Sequence, residues 1–402
     1  MEKPIGINIH QELIRGNSQH GSGQVSRLIL KGRKTRLTQI TTFCPGGMGP
    51  GPTNLYLIQG DALILVDTGM PTNAAKLLLY NLFDHPVPEE LRDLPDDLSE
   101  TELTTGLKVA GYSVKDIDLI LITHGHWDHF LLGQRIKNMS SAKVLAHILD
   151  TPLICNPWTT GFFWASRHQQ FEGMGMPNNI SRFECFSHTL SPENLGFPLQ
   201  IDEPIFKEGS IMGDQSGESI YIKHLPGHSP GSIGVFLGNE DESEILLCGD
   251  TLLYPISPHP DDLLSYLRTL AYLKTLKSIV LVLPAHGYKI MNIEERVGSL
   301  QKHHFRRLEL TYKACRHPVS VWDIATMQDY FDIHVPRTKS NFIAGNEALL
   351  HLEVLKIVKA VYLSQIRDGI HYFEASGEPF NNVYSRIKEL IDNKKCGFLM
   401  KC

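Results

Sequence analysis

Three imidazoles and one carboxylate fall within six residues directly after a short apolar run, and this cluster constrains the chain more than any other feature. The run Ile117–Thr123 has the length and composition of a buried β-strand. It leads straight into His124, His126, Asp128 and His129. Because alternate residues of a loop can point the same way, we predict that the first two side chains converge on one metal ion and the last two face another. Imidazole and carboxylate suit zinc, and also iron or manganese.

Three further segments place a candidate ligand at the end of an apolar strand, beside glycine or proline. His228 lies on a tight turn between two prolines, Asp250 follows the run Ile245–Cys248, and His286 follows a third apolar run. Strand ends on one side of a layered fold can converge even when they are far apart in sequence. We therefore expect these three side chains to join the first cluster.

This ordered set resembles the signature of the metallo-β-lactamase superfamily, an HxHxDH motif followed by a later His, Asp and His. The resemblance covers roughly residues 36–290 and implies two divalent metal ions. It implies that the first ion is held by His124, His126 and His228, that the second is held by Asp128, His129 and His286, and that Asp250 bridges them.

Two carboxylates have further expected roles. Asp67, in the segment LVDTG, matches the family's early aspartate and is expected to orient a ligand-bearing loop without binding metal. A plain turn before glycine is the alternative interpretation. A pair of cations lowers the pKa of a bridging water toward neutrality, so that hydroxide is available as the nucleophile. Asp128 is the candidate catalytic residue, since it can orient that hydroxide and pass on a proton.

The predicted elements indicate an α+β fold with more than one domain. Strands precede helices in each half of residues 36–291, which predicts a four-layer αβ/βα sandwich of the metallo-β-lactamase type. Residues 1–35 are expected to form an N-terminal extension, and the aromatic stretch 150–182 an insertion, either a packed lid or a substrate wall. Residues 292–402 are expected to be mainly helical, with predicted helices over Glu294–Tyr312, Val319–Phe331 and Ala348–Tyr362.

The last part of the chain carries a looser resemblance. Its predicted helices and the short β-wing near Gly369–Glu374 resemble the C-terminal winged-helix-like domain of the β-lactamase-like protein 2 group. Some members of that group cleave single-stranded RNA. His147, Tyr254 and His259 are weaker pocket candidates, for which a structural role is the simpler interpretation.

Composition argues against two classes of binding partner, nucleic acids and membranes. A formal net charge of −6 and a pI near 6.3 leave no overall basic field to attract nucleic acid or an anionic membrane. No stretch approaches the roughly 18 apolar residues of a membrane span, so we expect a cytoplasmic protein without membrane contact. Scattered cysteines without CxxC pairing indicate reduced thiols.

The resulting hypothesis is a metal-dependent hydrolase of a small acyl substrate: an ester, a thioester or a lactone. A thioesterase of this kind fits the acidic charge and the aromatic insertion. The alternative is a metal-dependent endoribonuclease or phosphodiesterase, which depends on the C-terminal resemblance, and a diiron redox protein is the third hypothesis. The C-terminal domain is also compatible with a homodimer. The sequence does not decide whether this domain binds substrate or forms dimer contacts.

Overall fold

The described residues form two compact units. The computed structural model describes residues 9–16, 21–30, 34–46, 50–76, 87–157, 173–177, 198–213, 219–238 and 243–393. The first unit consists of the described residues within the ranges 1–161, 184–258 and 276–293. The second consists of those within 162–183, 259–275 and 294–402. No described helix is long and apolar enough to span a bilayer.

The first unit contains an eight-stranded mixed sheet whose strands lie in chain order. Its strands are β1 (Ile9–Arg15), β2 (Gln24–Leu30), β3 (Arg36–Thr42), β4 (Thr53–Gln59), β5 (Leu63–Val66), β6 (Leu119–Ile122), β7 (Lys143–His147) and β8 (Glu203–Ile205). Neighbouring strands from β1 to β5 pair antiparallel, and those from β5 to β8 pair parallel. The parallel strands β5 and β6 are short and apolar, as expected where both faces of a sheet are covered.

This sheet begins earlier in the chain than we predicted. The first two strands lie within residues 1–35, which the sequence analysis assigned to an N-terminal extension, and β2 pairs with β3. Val25, Leu28 and Leu30 are buried, with exposed fractions of 1%, 1% and 5%. Leu28 and Leu30 pack in the cluster between the two sheets, and Val25 packs in the cluster on the other face of the first sheet, so the strand is covered on both faces.

A second sheet faces the first. It consists of β9 (Gly209–Gly213), β10 (Ser219–His224), β11 (Ile233–Leu237), β12 (Ile245–Leu247) and β13 (Leu281–Leu283), in the order β13-β12-β11-β10-β9. Tyr56 and Ile64 of the first sheet share one buried apolar cluster with Ile222, Val235 and Leu247 of the second. Burial of this shared cluster holds the two sheets together.

Helices cover the other face of the eight-stranded sheet. The first unit contains α1 (Glu89–Arg92), α2 (Leu98–Ala110), α3 (Trp127–Phe130), α4 (Gly133–Met139) and α5 (Thr151–Cys155). Leu103 and Leu107 of α2 pack in a cluster with Ile40. A Cβ on Gly106 would lie 2.5 Å from Ile40 Cγ2, so only glycine allows this helix to approach the sheet so closely. A helix layer and two sheets, three of the four predicted layers, are thus present in this unit.

The second unit is mainly helical, as predicted for the C-terminal region. It contains α6 (Leu263–Leu273), α7 (Ile293–Ala314), β14 (Val319–Ser320), α8 (Val321–Ala325), α9 (Phe342–Ile357), β15 (Val361–Arg367), β16 (Ile370–Ala375) and α10 (Phe380–Asp392). The strands form a small sheet in the order β14-β16-β15. Helix α6 clusters with this unit and not with residues 36–291, because its Arg268 guanidinium donates to the Leu390 carbonyl of α10.

Two predicted helices differ from the observed ones at both ends. The predicted helix Val319–Phe331 is shorter, since β14 precedes it and α8 ends at Ala325. Helix α9 begins six residues before the predicted Ala348, where the Asn341 side chain accepts a hydrogen bond from the Ala344 N–H. It ends before Lys359, whose φ of 57° is not helical, and the residues that follow enter β15.

Only parts of the aromatic insertion 150–182 lie within the described residues, namely 150–157 and 173–177. In the second unit, the Met174 carbonyl accepts a hydrogen bond from the Trp322 N–H, and the Gly173 carbonyl accepts one from the His371 N–H. Residues 173–177 therefore pack against the C-terminal region. The question of lid or substrate wall depends on residues outside the described ranges.

Two imidazoles stack between the sheets and make stability depend on pH. His147 ends β7 and His224 ends β10, with ring centroids 4.0 Å apart and an interplanar angle of 15°. Burial, followed by the neighbouring His224, lowers the pKa of His147 from 6.5 to about 4. A depressed histidine pKa stabilises the fold above the unfolded-state value, and that contribution is lost as the pH falls from about 6.5 to about 4.

We expect His147→Gln to reduce the acid sensitivity of folding. Between pH 7 and pH 5 the free energy of unfolding of the variant should fall less than that of the wild type, by roughly 1 kcal/mol after allowance for solvent screening. Urea unfolding at both pH values measures this difference. His10→Gln, at an exposed position of β1, is the control. Equal losses in the wild type and His147→Gln would contradict the assignment.

Candidate metal centre

The first three predicted ligands form a tight triangle of ring nitrogens. His124 and His126 lie on the loop between β6 and α3, and His228 lies on the loop between β10 and β11. His126 Nδ1 lies 3.0 Å from His124 Nε2 and 3.0 Å from His228 Nε2, and the two Nε2 atoms are 3.2 Å apart. A neutral ring nitrogen is either a donor or an acceptor, so at most two of these three contacts can be hydrogen bonds. A cation at the centre would satisfy all three nitrogens.

The second predicted set forms a mixed triangle. Asp128 and His129 lie on α3, directly after the first loop, and His286 follows β13. His286 Nε2 lies 3.1 Å from Asp128 Oδ2, and His129 Nε2 lies 3.5 Å from Asp128 Oδ1. Among the described residues, the Nε2 atoms of both histidines are buried, and neither makes a hydrogen bond of good geometry. Buried polar atoms are normally paired, so their convergence fits a metal ion.

Asp250 lies between the two triangles. Its Oδ2 is 3.6 Å from His228 Nε2, and its Oδ1 is 3.7 Å from His129 Nε2 and 3.6 Å from His286 Nε2. Within the described part of the chain, Oδ1 is buried without a hydrogen bond. One oxygen therefore faces each triangle, which is the arrangement that a bridging carboxylate requires.

Asp67 lies behind His129. Its Oδ2 is 2.9 Å from His129 Nδ1 and also accepts from the Thr123 hydroxyl, while its Oδ1 accepts from the Thr123 N–H at 2.8 Å. Asp67 is 1% exposed and has a φ of 60°, a conformation that aspartate tolerates better than most residues. Because Nδ1–H of His129 donates to this carboxylate, Nε2 is the nitrogen that faces the centre and that can bind a cation once it has lost its proton.

Similar contacts orient two other histidines. His286 Nδ1 lies 3.1 Å from each of the carbonyl oxygens of Gly51 and Pro52, and a carbonyl can only accept. Its Nε2 is therefore the nitrogen that faces the centre. His124 Nδ1 lies 3.1 Å from the Thr123 hydroxyl. Gly51 and Pro52 thus contact a candidate ligand through their backbone carbonyls.

The charges of the metal-free cluster are strongly coupled. Burial alone would lower the pKa of His129, but Asp128, Asp67 and Asp250 raise it to about 10. Burial also opposes ionisation of Asp128, but His129 and His286 hold the pKa of that carboxyl well below its usual range. Burial and neighbouring imidazoles lower the pKa of His124. A cation must therefore displace a proton from His129, so its binding weakens as the pH falls.

The sequence analysis did not identify Asp150, which precedes α5 and is fully buried. As the residue before a helix it resembles an N-cap, but its side chain makes no capping bond. The carboxylate instead accepts hydrogen bonds from three groups of the two loops that carry the first triangle. Only the fold brings these groups together.

A further histidine cluster lies in the second unit, and its carboxylate is already paired with neighbouring side chains. His303, His304 and Glu347 approach one another closely enough to be considered as ligands. However, the Glu347 carboxylate accepts from Arg307 at 2.6 Å through Oε1 and lies 2.9 Å from His259 Nδ1 through Oε2. Both oxygens are engaged, so this cluster is an ion network around Glu347, and His259 pairs with that carboxylate.

Known proteins are similar to this chain in sequence and in fold. Residues 48–286 match the family described as the metallo-beta-lactamase superfamily. The probable metallo-hydrolase YqjP of Bacillus subtilis (strain 168) is 24% identical over 335 residues, covering 79% of this chain and 92% of the relative. An N-acyl homoserine lactonase of Bacillus cereus is 37% identical over 212 residues, covering 52% and 68%. The structure of a metallo-beta-lactamase family protein from Thermus thermophilus has a TM-score of 0.62 at 22% identity, covering 84% of this chain and 98% of that chain.

Proposed function

The chain belongs to the metallo-beta-lactamase superfamily, and from this premise we propose that it is a metallo-hydrolase that cleaves a small ester, thioester or lactone. The observation that carries the proposal is the placement of Asp250 between two triangles of buried ligand atoms. A single-ion site would not need a carboxylate with one oxygen facing each triangle. We infer a centre for two divalent ions, with zinc favoured by its nitrogen-rich donors.

The proposed ligand roles follow the geometry. The first ion would be held by His124, His126 and His228, the second by Asp128, His129 and His286, with Asp250 shared. When bound, the ions supply Lewis acidity for the substrate oxygen and make hydroxide available at neutral pH.

Asp128 would also serve the reaction itself. Its carboxylate lies at the edge of the centre, with 15% of the side chain exposed, so it can hold the attacking oxygen in place and accept its proton. Asp67 would keep Nε2 of His129 directed toward the second ion. It would not take part in the proton transfer itself.

The substrate class is supported by a relative and by the rim of the site. The N-acyl homoserine lactonase is named for an acylated lactone substrate and is 37% identical to this chain over 212 residues. The loops that follow Asp250 and His286 present Tyr254 and Tyr288, which are 48% and 68% exposed with ring centroids 6.5 Å apart. Exposed aromatic rings beside a polar centre suit an acyl chain attached to a hydrolysable carbonyl.

Nucleic-acid cleavage is the second candidate. The sheet order β14-β16-β15, with the β15–β16 hairpin as a wing, supports our proposal of a winged-helix-like C-terminal region. In such domains the helix before the wing often enters a nucleic-acid groove. Here that helix, α9, is buried along most of its length, including Asn346 and Glu347. An inaccessible recognition helix ranks this candidate below acyl hydrolysis.

We expect the protein, purified with zinc, to hydrolyse acyl substrates in preference to phosphodiesters. The panel contains an N-acyl homoserine lactone, an acyl thioester, a simple ester, a phosphodiester and a short single-stranded RNA, with acid release followed for the first three. A kcat/KM at least roughly tenfold higher on one acyl substrate than on every phosphodiester, about 1.4 kcal/mol of selectivity, is the expected result.

The controls separate the metal centre from the substrate. Dialysis against a chelator should abolish the activity, and zinc should restore it. His126→Ala, which removes one corner of the first triangle, serves as the blank. Preferential cleavage of RNA would replace the acyl assignment by the second candidate, whereas activity that survives both chelation and His126→Ala would contradict the proposed centre.

A further inference from the structure

Asp150 joins the two loops that carry the first histidine triangle. Its Oδ2 accepts hydrogen bonds from the Gly125 N–H at 2.8 Å and the Ser229 hydroxyl at 2.6 Å, and its Oδ1 accepts from the Gly231 N–H at 2.6 Å. Gly125 lies between the two histidines of the first loop, and Ser229 directly follows the histidine of the second. One side chain therefore fixes the position of one loop relative to the other.

Gly231 is needed for this contact, and Gly125 favours it. A Cβ on Gly231 would lie 2.6 Å from the Asp150 carboxyl carbon, a distance that side chains do not adopt. A Cβ on Gly125 would lie 3.2 Å from the Asp150 Cβ, which is tighter than ordinary packing. The loops thus approach the carboxylate closely on both sides, and their glycines allow it.

The carboxylate is fully buried, and its partners named above are two backbone amides and one hydroxyl. Charge-assisted hydrogen bonds of this kind are short and strong, and they fix geometry. The Ser229 hydroxyl also pairs with Ser232 Oγ at 2.8 Å, which extends the contact across the second loop. This network holds three ring nitrogens within 3.2 Å of one another.

We propose that Asp150 is a positioning residue for the first metal ion, and that it holds the two loops in the separation that the ion requires. This inference rests on the proposed function, because it needs the triangle to bind a metal. Residues that orient ligands without touching the ion commonly affect metal affinity by roughly 10- to 100-fold. We thus expect Asp150 to affect the affinity for the metal ion at the first of the two sites, the one formed by His124, His126 and His228.

The test measures zinc affinity in the full-length protein. Asp150→Asn keeps the shape but turns one oxygen into a donor, so at least one of the three donors loses its acceptor. We expect one of two bound zinc ions to be weakened roughly 10- to 100-fold in competition with a chromophoric chelator. Asp118→Asn is the matched control, since Asp118 also accepts a backbone N–H, that of Leu63, away from the ligand loops.

Ser229→Ala keeps the carboxylate and removes one donor, so it carries the test if Asp150→Asn does not fold; a smaller loss at the same ion is expected. Cobalt substitution gives a second readout, because the absorption of the weakened site should change, whereas a merely structural role would leave it unaltered.

Each outcome has a distinct meaning. Two ions bound with wild-type affinity in Asp150→Asn would overturn the inference and leave the proposed function intact. An equal loss of affinity in Asp118→Asn would also overturn it, since the effect would then be general. A wild type that binds no zinc or other divalent ion would overturn the proposed function, and the inference with it.

Discussion

Replacing Asp250 with asparagine is expected to lower kcat/KM on the preferred substrate by roughly three orders of magnitude, about 4 kcal/mol of transition-state stabilisation. Its two oxygens face both triangles, at 3.6 Å from His228 Nε2 and at 3.7 Å and 3.6 Å from His129 and His286. The amide presents a donor to one triangle and removes the negative charge between two cations. Zinc content per chain, measured together with steady-state kinetics, should fall from about two to about one.

The control is a carboxylate that lies outside the metal centre and has several polar partners of its own. Asp202 accepts from Lys137 and from the Val144 N–H, so Asp202→Asn changes the same functional group at the edge of the fold. We expect its zinc content and its kcat/KM to match those of the wild type. A variant of Asp250 that kept both ions and full activity would exclude a shared carboxylate and with it the two-ion proposal.

The candidate ligands could be identified from the sequence because each belongs to a contiguous local signal. His124 to His129 follow the apolar strand β6, and His286 follows β13, with glycine or proline nearby. A short apolar run that ends in ligand residues predicts both the strand and the edge at which the side chains meet. The structure brings these residues together at strand ends, as the sequence analysis expected.

Asp150 could not be found in this way. Its donors lie 25, 79 and 81 positions away along the chain, and nothing near Asp150 distinguishes it from a helix-capping residue. Positioning contacts of this kind depend on how the two sheets pack, which is information that local patterns do not contain.

The missed elements have a different physical cause. Strands β1 and β2 are separated by a polar, glycine-containing connection and carry charged residues, and the buried Val25, Leu28 and Leu30 do not alternate regularly, so no strand pattern was recognised. The early start of α9 was signalled by Asn341, a good N-cap, ahead of residues whose apolar character extends all round the helix. A buried helix gives no amphipathic pattern from which to place its ends.

Replacing Asp67 with alanine is expected to lower kcat/KM roughly 100-fold or more and to reduce the free energy of unfolding by about 2 to 4 kcal/mol. The change leaves the Thr123 N–H, the Thr123 hydroxyl and the Nδ1–H of His129 without their acceptor in a buried site. The loss of orientation should fall on the ion held by His129, which zinc titration and urea unfolding of the variant would measure.

Asparagine at the same position separates orientation from stability. With its oxygen toward the Thr123 N–H, Asp67→Asn directs an amide N–H at His129 Nδ1, which must then accept, so the ring proton moves to Nε2 and faces the metal position. We therefore expect Asp67→Asn to unfold at a higher urea concentration than Asp67→Ala. We expect it to bind the second zinc ion no more tightly than Asp67→Ala does. A variant that regained both stability and zinc affinity would show that Asp67 acts only by filling space, because an amide fills the same volume without fixing the tautomer.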